Sequence, residues 1–243
     1  MMKYRESGYS RLNTLGGGLT PMVKRLLIAT GIVYLLQFIA VFSGIESSVI
    51  GFFALTPALV TGSGYIWQIF TYMFLHSTSD PSHFLFNMLG LWMFGTQLER
   101  YWGSGKFLFI YILCGLFGGA CVTATGLIFK SAWAVPTIGQ SGAIYGLIAA
   151  YGTIFAEQYV YFYAIIPIKA RILTWILIGV AVLYALAGSS YSFPAHMGGL
   201  FMGWLLSSGN WKPEKLWIQF RLWKLKKGRR NIRVVDGKKE YIN

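Results

Sequence analysis

Five polar residues lie in three short motifs of an otherwise apolar chain, and their types could support serine hydrolase chemistry. HFLFN contains His83 and Asn87, GQSGAIYG contains Ser141 and Tyr145, and AHMGGLFMG contains His196. A serine hydroxyl becomes a useful nucleophile when an adjacent base can take its proton. Neutral imidazole can do this near pH 7 and can later return the proton to a leaving amine. We therefore interpret Ser141 as a candidate nucleophile and His196 as a candidate general base.

The same chemistry requires donors that stabilise an oxyanion in a water-poor site. His83 and Asn87 are four residues apart, so both lie on one face of a helix and are suitable side-chain donors. No acidic residue falls within a predicted membrane span. The eight acids are Glu6, Glu46, Asp80, Glu99, Glu157, Glu214, Asp236 and Glu240. A serine hydrolase built on this sequence would therefore use a Ser-His dyad.

Each of these residues also has a purely structural interpretation. A single serine in a membrane helix usually bonds to the backbone one turn earlier, and a single histidine at a helix end is often an interfacial residue. An asparagine can simply link two helices. The predicted spans nevertheless bring the serine and both histidines to a similar depth near the outer surface. Because nothing in the hydrophobic periodicity requires this coincidence, it favours a functional site.

The composition indicates a membrane protein. Of the 243 residues, 55% are hydrophobic and 12% are charged, and the mean hydropathy is +0.54. A soluble domain has about 25% charged residues. The net charge of +13 could suggest a nucleic-acid partner, but 11 of the 21 Lys and Arg residues follow residue 211. We therefore expect these positively charged residues to contact the lipid bilayer and not nucleic acid.

The fold class predicted is an all-α membrane protein, a bundle of six transmembrane helices. Spans of mainly apolar residues are predicted at 24–42, 82–98, 107–129, 141–156, 171–187 and 194–209. The apolar connector 43–81 is interrupted by Gly and Pro, and we expect it to lie in the outer interface. No cleavable signal peptide is expected, because the first 22 residues lack a compact apolar core.

The distribution of cations predicts that both termini face the cytoplasm. With this orientation, 20 of the 21 Lys and Arg residues lie on the inner side and Lys130 alone lies outside. Three regions are expected: a cytoplasmic segment 1–23, a six-span domain 24–209 and a basic cytoplasmic tail 210–243. Tryptophan and basic residues in the tail predict an interfacial amphipathic helix on anionic lipid.

Paired glycines predict how the fourth and sixth spans pack. Gly142 and Gly146 have the same small-xxx-small spacing as Gly199 and Gly203, and such faces bring helix backbones close together. This contact would place Ser141 and His196 at one end of the interface. Tyr145 could stack under the imidazole or could be an ordinary packing residue.

Taken in this order, the motifs HFLFN, ERYWGSGK, GQSGAIYG and AHMGGLFMG resemble those of the rhomboid intramembrane serine proteases, over about residues 24–209. The resemblance implies cleavage of single-pass membrane proteins within or near their transmembrane segments. It implies that Ser141 is the nucleophile and His196 the base. The implied oxyanion site comprises His83, Asn87 and the backbone of Gln140 and Ser141. The supporting residues implied are Tyr145, Gly139, Gly142, Gly199 and Gly203.

The resemblance also implies that the connector 43–81 is the first outer loop of this family and that span five moves to admit substrate. The family often has a Trp-Arg pair in this loop, whereas this chain has Trp67-Gln68. His76 is interpreted as a structural loop histidine. The six-span plan suggests the plasma (inner) membrane of a prokaryote.

Two other classes of protein are less compatible with the sequence. A rhomboid-like pseudoenzyme would lack the serine or the histidine, and both are present. A small transporter would show repeats or ionisable residues at mid-membrane, and neither is evident. The sequence has three histidines and lacks H-E-x-x-H, so no metal and no cofactor are expected.

Overall fold

The computed structural model describes residues 18–162, 166–186 and 192–209, together with the backbone of 232–235 and 238–241. The chain divides into two compact units, Met1–Ser207 and Ser208–Asn243. The α-helices are α1 (Pro21–Phe42), α2 (Glu46–Phe53), α3 (Pro57–Gly62), α4 (Gln68–Thr71), α5 (Pro81–Gly90), α6 (Thr96–Trp102), α7 (Ser104–Ile128), α8 (Ser141–Ile154), α9 (Ala170–Leu186) and α10 (Phe193–Ser208). In the second unit, the described strands β3 (Ile232–Val235) and β4 (Lys238–Tyr241) pair antiparallel. The predicted interfacial helix of the tail falls in residues 210–231, outside the described residues.

The described residues of each of the six predicted spans are mainly helical. α5 runs through a π-helical turn, Leu91–Gly95, directly into α6. Helical backbone from 81 to 102 extends about 30 Å, which is the thickness of a bilayer core. Among the described helices, α1 and α7 are individually long and apolar enough to cross a membrane. A core helix of a soluble protein can meet the same two criteria.

The surface of α1 provides independent support for a lipid environment. Ile32, Leu35, Leu36 and Ile39 are each between 54% and 65% exposed. Soluble monomers rarely expose a continuous apolar face of this kind. The buried residues of the same helix include the polar side chains of Tyr34 and Gln37. This helix therefore directs apolar residues outward and polar ones inward, as expected in hydrocarbon.

The connector after α1 folds back onto α7 and contains more helix than the sequence predicted. It comprises α2, α3, α4 and a 3₁₀ turn, Tyr72–Phe74. The Tyr72 hydroxyl donates to the carbonyl of Gly115 at 2.7 Å, and Met73 also packs against Gly115. Farther along α7, Pro57 packs against Gly126. The glycines of α7 thus allow the connector to approach its backbone.

The start of α1 is capped by an acidic side chain from α6. The backbone amides of Met22 and Val23 each donate to the Glu99 carboxylate at 2.9 Å. Ser104 Oγ donates to the same carboxylate at 2.5 Å. The first amides of a helix have no partner within it and carry partial positive charge, so a carboxylate stabilises them. Glu99 therefore ties α1 to the α6–α7 corner.

A β-hairpin connects α8 to α9. Strands β1 (Tyr159–Phe162) and β2 (Ile166–Lys169) pair antiparallel, with Tyr159 opposite Lys169. At its base, the exposed Glu157 carboxylate contacts Lys169 Nζ at 2.8 Å and Arg171 at 2.7 Å. These two cations hold the pKa of Glu157 below its usual value, mainly through the hydrogen bond from Lys169. The hairpin was not predicted from the sequence.

Candidate active site

Ser141 is the first residue of α8 and follows a sharply turned backbone segment. Gly139 has φ of +108°, which favours glycine, and Gln140 occupies the N-cap position. The turn ends the preceding extended segment and starts the helix at the serine. Ser141 is therefore held by rigid helical backbone while its hydroxyl remains half-buried.

His196 lies in the first turn of α10 and meets the serine directly. The distance between Ser141 Oγ and His196 Nε2 is 2.8 Å, although the two residues are 55 positions apart. This is an ordinary length for a hydrogen bond from a hydroxyl. With the hydroxyl as donor, Nε2 is the unprotonated nitrogen, so the serine proton points at a base.

The approach of the two helices depends on the paired glycines, as predicted. A Cβ built on Gly199 would overlap the carbonyl oxygen of Gly142, and one built on Gly203 would overlap that of Gly146. Glycine is thus required at both positions for this helix separation. The separation in turn sets the distance between Ser141 and His196.

Tyr145 lies one turn after the serine and stacks on the His196 ring. The ring centroids are 4.4 Å apart and the planes differ by 20°. The two interpretations left open by the sequence are thereby resolved in favour of stacking. Such a contact restricts rotation of the imidazole about its side-chain torsion and keeps Nε2 directed at the hydroxyl.

His83 reaches the same recess from α5. A Cβ on Gly139 would lie 2.7 Å from His83 Nε2, so this nitrogen faces the backbone that precedes Ser141. The Ser77 N–H donates to His83 Nδ1 at 3.4 Å. Because Nδ1 is then an acceptor, a neutral His83 carries its proton on Nε2. The geometry presents an N–H donor to the region around the serine.

Asn87 is buried near His83, and its amide is only partly engaged. Nδ2 donates to the carbonyl of His83, one helical turn earlier, at 2.6 Å. Oδ1 is buried without a partner among the described residues. One N–H of the amide is therefore used within α5 and the second remains for another acceptor.

The side chain of Gln140 points away from the serine, into the protein. It is fully buried, and its Oε1 accepts a short hydrogen bond from the Tyr111 hydroxyl on α7. Its Nε2 lies 4.0 Å from Met88 Sδ. This buried amide anchors the segment before Ser141 to α5 and α7, a role that was not predicted from the sequence.

The side chains of Trp67 and Gln68 both form hydrogen bonds with the backbone of the connector. Gln68 is fully buried; its Oε1 accepts from the Thr56 N–H at 3.0 Å and its Nε2 donates to the Gly51 carbonyl at 2.9 Å. The Trp67 indole donates to the carbonyl of Phe52 at 2.8 Å. An arginine could supply donors but no acceptor, so glutamine suits this particular backbone.

His76 is fully buried and serves the structure of the connector. Its backbone exchanges two hydrogen bonds with the Gln37 side chain, both 2.9 Å long. Burial, together with repulsion from His83, lowers the pKa of His76 to about 4. Gln37 and Tyr34 were not predicted from the sequence, although both are polar residues in the otherwise apolar run IVYLLQFIA.

The described residues contain no cluster of three or more His, Cys, Asp and Glu side chains that could hold a metal ion. The arrangement instead combines a hydroxyl in contact with an imidazole and, beside it, the Nε2 of a second imidazole. Such a site can perform nucleophilic attack assisted by a general base. A neighbouring N–H donor can stabilise the negative charge that develops on the attacked carbonyl.

The chain is similar to known proteins of one family. The Rhomboid domain profile matches residues 63–212. The chain is 30% identical over 151 residues to Rhomboid protease GluP of Bacillus subtilis, covering 62% of this chain and 27% of that protein. It is 28% identical over 206 residues to Rhomboid protease GlpG of Pectobacterium atrosepticum, covering 82% and 66% respectively.

A mitochondrial relative is also similar. Rhomboid protein 1 of Saccharomyces cerevisiae is 26% identical over 146 residues, which cover 56% of this chain and 41% of the yeast protein. The chain therefore spans less than two thirds of the length of these relatives. Because the domain profile covers more than half of the chain, this protein belongs to the rhomboid family. The members of this family are integral membrane proteins.

Proposed function

We propose that this protein is an intramembrane serine endopeptidase that cleaves the transmembrane segments of single-pass membrane proteins. The observation that carries the proposal is the 2.8 Å contact between Ser141 Oγ and His196 Nε2. Two of the relatives above bear the name rhomboid protease. The contact supplies the nucleophile and the base that such an activity requires.

Acylation would use the dyad in the following way. Ser141 Oγ attacks the scissile carbonyl carbon while His196 Nε2 takes the hydroxyl proton. The carbonyl oxygen becomes an oxyanion, which accepts hydrogen bonds from His83 Nε2–H, the second Asn87 amide hydrogen and the backbone N–H groups of Ser141 and Gln140. The intermediate then collapses as His196 donates its proton to the leaving amine. The product is an ester on Ser141.

Deacylation would repeat these proton transfers with water. His196 takes a proton from the attacking water, and the resulting tetrahedral intermediate expels Ser141 Oγ. The imidazolium returns its proton to the serine, which restores the starting state. No carboxylate is needed, since Tyr145 already fixes the orientation of the ring. The reaction requires no metal and no cofactor.

We further propose six membrane crossings with both termini inside, formed by α1, α5–α6, α7, α8, α9 and α10. This arrangement places 20 of the 21 cations on the inner side and the dyad near the outer leaflet. The six-span domain would comprise 24–209, flanked by cytoplasmic segments 1–23 and 210–243. The apolar residues exposed on α9, including Trp175 and Ile176, suit a helix that moves within lipid to admit substrate.

The expected location is the plasma membrane of a prokaryote. The bacterial relatives support it. Mitochondrial relatives show that the family also occurs in organelles. The basic tail would bind anionic lipid on the cytoplasmic face.

The proposal is tested by reconstituting the protein in liposomes with a single-pass reporter and measuring cleavage. We expect Ser141→Ala and His196→Ala each to abolish cleavage while insertion and thermal stability remain close to wild type. Ser43→Ala, at an exposed serine after α1, is the matched control and should retain full activity. Cleavage that survives either dyad substitution would refute the assignment. Wild-type binding of the reporter without cleavage would instead indicate a pseudoenzyme.

A further inference from the structure

Two polar side chains of α1 reach the backbone next to His83. Gln37 exchanges a pair of 2.9 Å hydrogen bonds with the N–H and C=O of His76. The Tyr34 hydroxyl donates to the carbonyl of Ser77 at 3.2 Å. Both side chains are buried, with exposures of 3% and 8%. They are three residues apart, so one face of α1 holds two successive residues of the connector.

The backbone that they hold makes a direct contact with His83. The N–H of Ser77 donates to His83 Nδ1 at 3.4 Å. The peptide group between His76 and Ser77 therefore lies between α1 and the imidazole. Any shift of this group changes both the position of the donor and the orientation of the ring.

A contact between rings reinforces the same geometry. Tyr34 stacks on Phe84, the neighbour of His83, with centroids 4.2 Å apart and planes differing by 6°. Phe84 lies edge-on to the His76 ring at 5.5 Å. Tyr34 and Gln37 thus contact the loop whose Ser77 N–H donates to His83. Tyr34 also contacts the helical turn that contains His83.

The other side of the His83 ring faces the site. Its Nε2 lies against Gly139, where an added Cβ would be 2.7 Å away. A fixed donor at Nδ1 leaves the ring proton on Nε2 and directs it at this backbone. The hydrogen bond made by one ring nitrogen sets the tautomer and the orientation of an imidazole.

We propose that Gln37 and Tyr34 are positioning residues, which act through the His76–Ser77 peptide to hold His83 as an Nε2–H donor aimed at the oxyanion. The inference rests on the proposed protease function, within which His83 is a donor. In the described part of the chain, neither side chain is hydrogen-bonded to Ser141 or His196. Their effect is on transition-state stabilisation and not on the binding of substrate.

The kinetic test uses Gln37→Leu and Tyr34→Phe in the full-length protein in liposomes. Loss of an interaction made only in the transition state lowers kcat and leaves KM unchanged. We expect kcat to fall about tenfold in Gln37→Leu and about threefold in Tyr34→Phe, because small misplacements of catalytic groups are costly. Tyr34→Phe keeps the stack on Phe84 and removes only the hydroxyl, so it tests the idea even if Gln37→Leu does not fold.

The matched control is Thr30→Val. Thr30 lies on the same helix, is fully buried, and its hydroxyl has no partner in the described part of the chain. The substitution removes a hydroxyl from α1 without touching the connector. Its kcat should equal that of the wild type.

A second readout is spectroscopic and needs no substrate. The sequence has three histidines, so ¹⁵N-histidine labelling gives three pairs of ring-nitrogen signals, and loss of one pair in His83→Gln assigns those of His83. We expect wild-type His83 to show a single Nε2–H tautomer, and Gln37→Leu to show averaging between tautomers. Thr30→Val should leave these signals unchanged.

The two readouts separate the failure of this inference from that of the proposed function. If the wild type cleaves and Gln37→Leu and Tyr34→Phe both match Thr30→Val in kcat, the positioning role is wrong. A lower kcat with unchanged His83 signals, or an effect confined to KM, would also overturn it. If the wild type cleaves nothing, the proposed function fails, and the ¹⁵N signals still decide whether α1 controls His83.

Discussion

The two sides of the candidate site are built by different physical means. Ser141 and His196 are brought together by direct backbone contact between α8 and α10, where Gly199 packs on Gly142 and Gly203 packs on Gly146. His83 is held from outside by buried polar side chains that bond to the backbone of the connector. Contact between backbones tolerates almost no added volume, whereas a hydrogen-bonded loop can shift and still remain folded. Substitutions on the two sides should therefore fail in different ways.

The largest loss of activity is expected when volume is added between α8 and α10. In Gly199→Val, the new side chain would overlap the carbonyl of Gly142, so the helices must separate. We expect cleavage to fall by at least about 100-fold, because a displacement of about 1 Å between catalytic groups can cost that much. The measurement is reporter cleavage together with the thermal unfolding midpoint.

Gly179→Ala provides the control for that change. Gly179 lies in the apolar helix α9, and an added Cβ there meets no atom within 4 Å. Activity and Tm should both remain at the wild-type level. Equal activity of Gly199→Val and Gly179→Ala would show that the glycine contact does not set the geometry of the dyad.

Gln68→Leu should have a smaller effect, because it loosens the connector without touching the dyad. The substitution leaves the buried Thr56 N–H without its acceptor, and an unsatisfied buried group costs about 1–3 kcal/mol. The carbonyl of the exposed Gly51 also loses its donor. We expect a lower Tm and a loss of activity of about tenfold, since this is the effect of a modest misplacement. Gln68→Arg should recover less than half of the loss, because arginine cannot accept from Thr56. Full recovery of activity in Gln68→Arg would show that only the hydrogen bond donated by this side chain is needed, and not the one that it accepts from Thr56.

Tyr145→Phe should change kcat only slightly, which would assign the restraint of the imidazole to the ring of Tyr145 and not to its hydroxyl. Phenylalanine keeps the ring that stacks on His196 at 4.4 Å and removes only the hydroxyl. We expect kcat to stay within about threefold of the wild type, whereas Tyr145→Ala loses about tenfold because the ring of the base is no longer restrained. Equal losses in the two variants would assign the role to the hydroxyl instead.

The smallest expected effect is a decrease in thermal stability at acid pH that is caused by His76. Its pKa in the folded protein is about 4, below the ordinary value of about 6.5. As the pH is lowered, His76 is therefore protonated in the unfolded chain before it is protonated in the folded protein. The free energy of unfolding consequently decreases as the pH drops from 6.5 towards 4. At pH 5 we expect the Tm of the wild type to fall by a few degrees more than that of His76→Phe. An identical pH dependence of Tm in the two proteins would contradict the buried, neutral state of this histidine.

The sequence predicted the helices of the proposed spans and the proximity of Ser141 to His196, because both rest on strong local patterns. Apolar runs of about 20 residues can satisfy their backbone in lipid only as helices. The small-xxx-small spacing of Gly142 and Gly146 predicted the helix contact that the structure shows. The stack of Tyr145 on His196 was one of two alternatives until the positions of both helices were known.

Two of the contacts that the sequence did not predict join distant segments of the chain. The cap of α1 by Glu99 joins residues 77 positions apart, and the Gln37–His76 bonds join residues 39 positions apart. No local pattern reports such pairs. The short helices of the connector were missed because each has eight residues or fewer. The β1–β2 hairpin was missed because its apolar strands, YVYF and IPIK, lie between two predicted spans.

Whether Ser141 and His196 form a working dyad can be tested directly by labelling the folded protein covalently with a fluorophosphonate. The labelled residues are then identified by peptide mapping with mass spectrometry. Such a reagent modifies a serine whose proton is removed by a neighbouring base. We expect one adduct, on Ser141, and its loss in Ser141→Ala and in His196→Ala. An adduct on another serine, or labelling of Ser141 that persists in His196→Ala, would contradict the claim that this pair forms a working dyad.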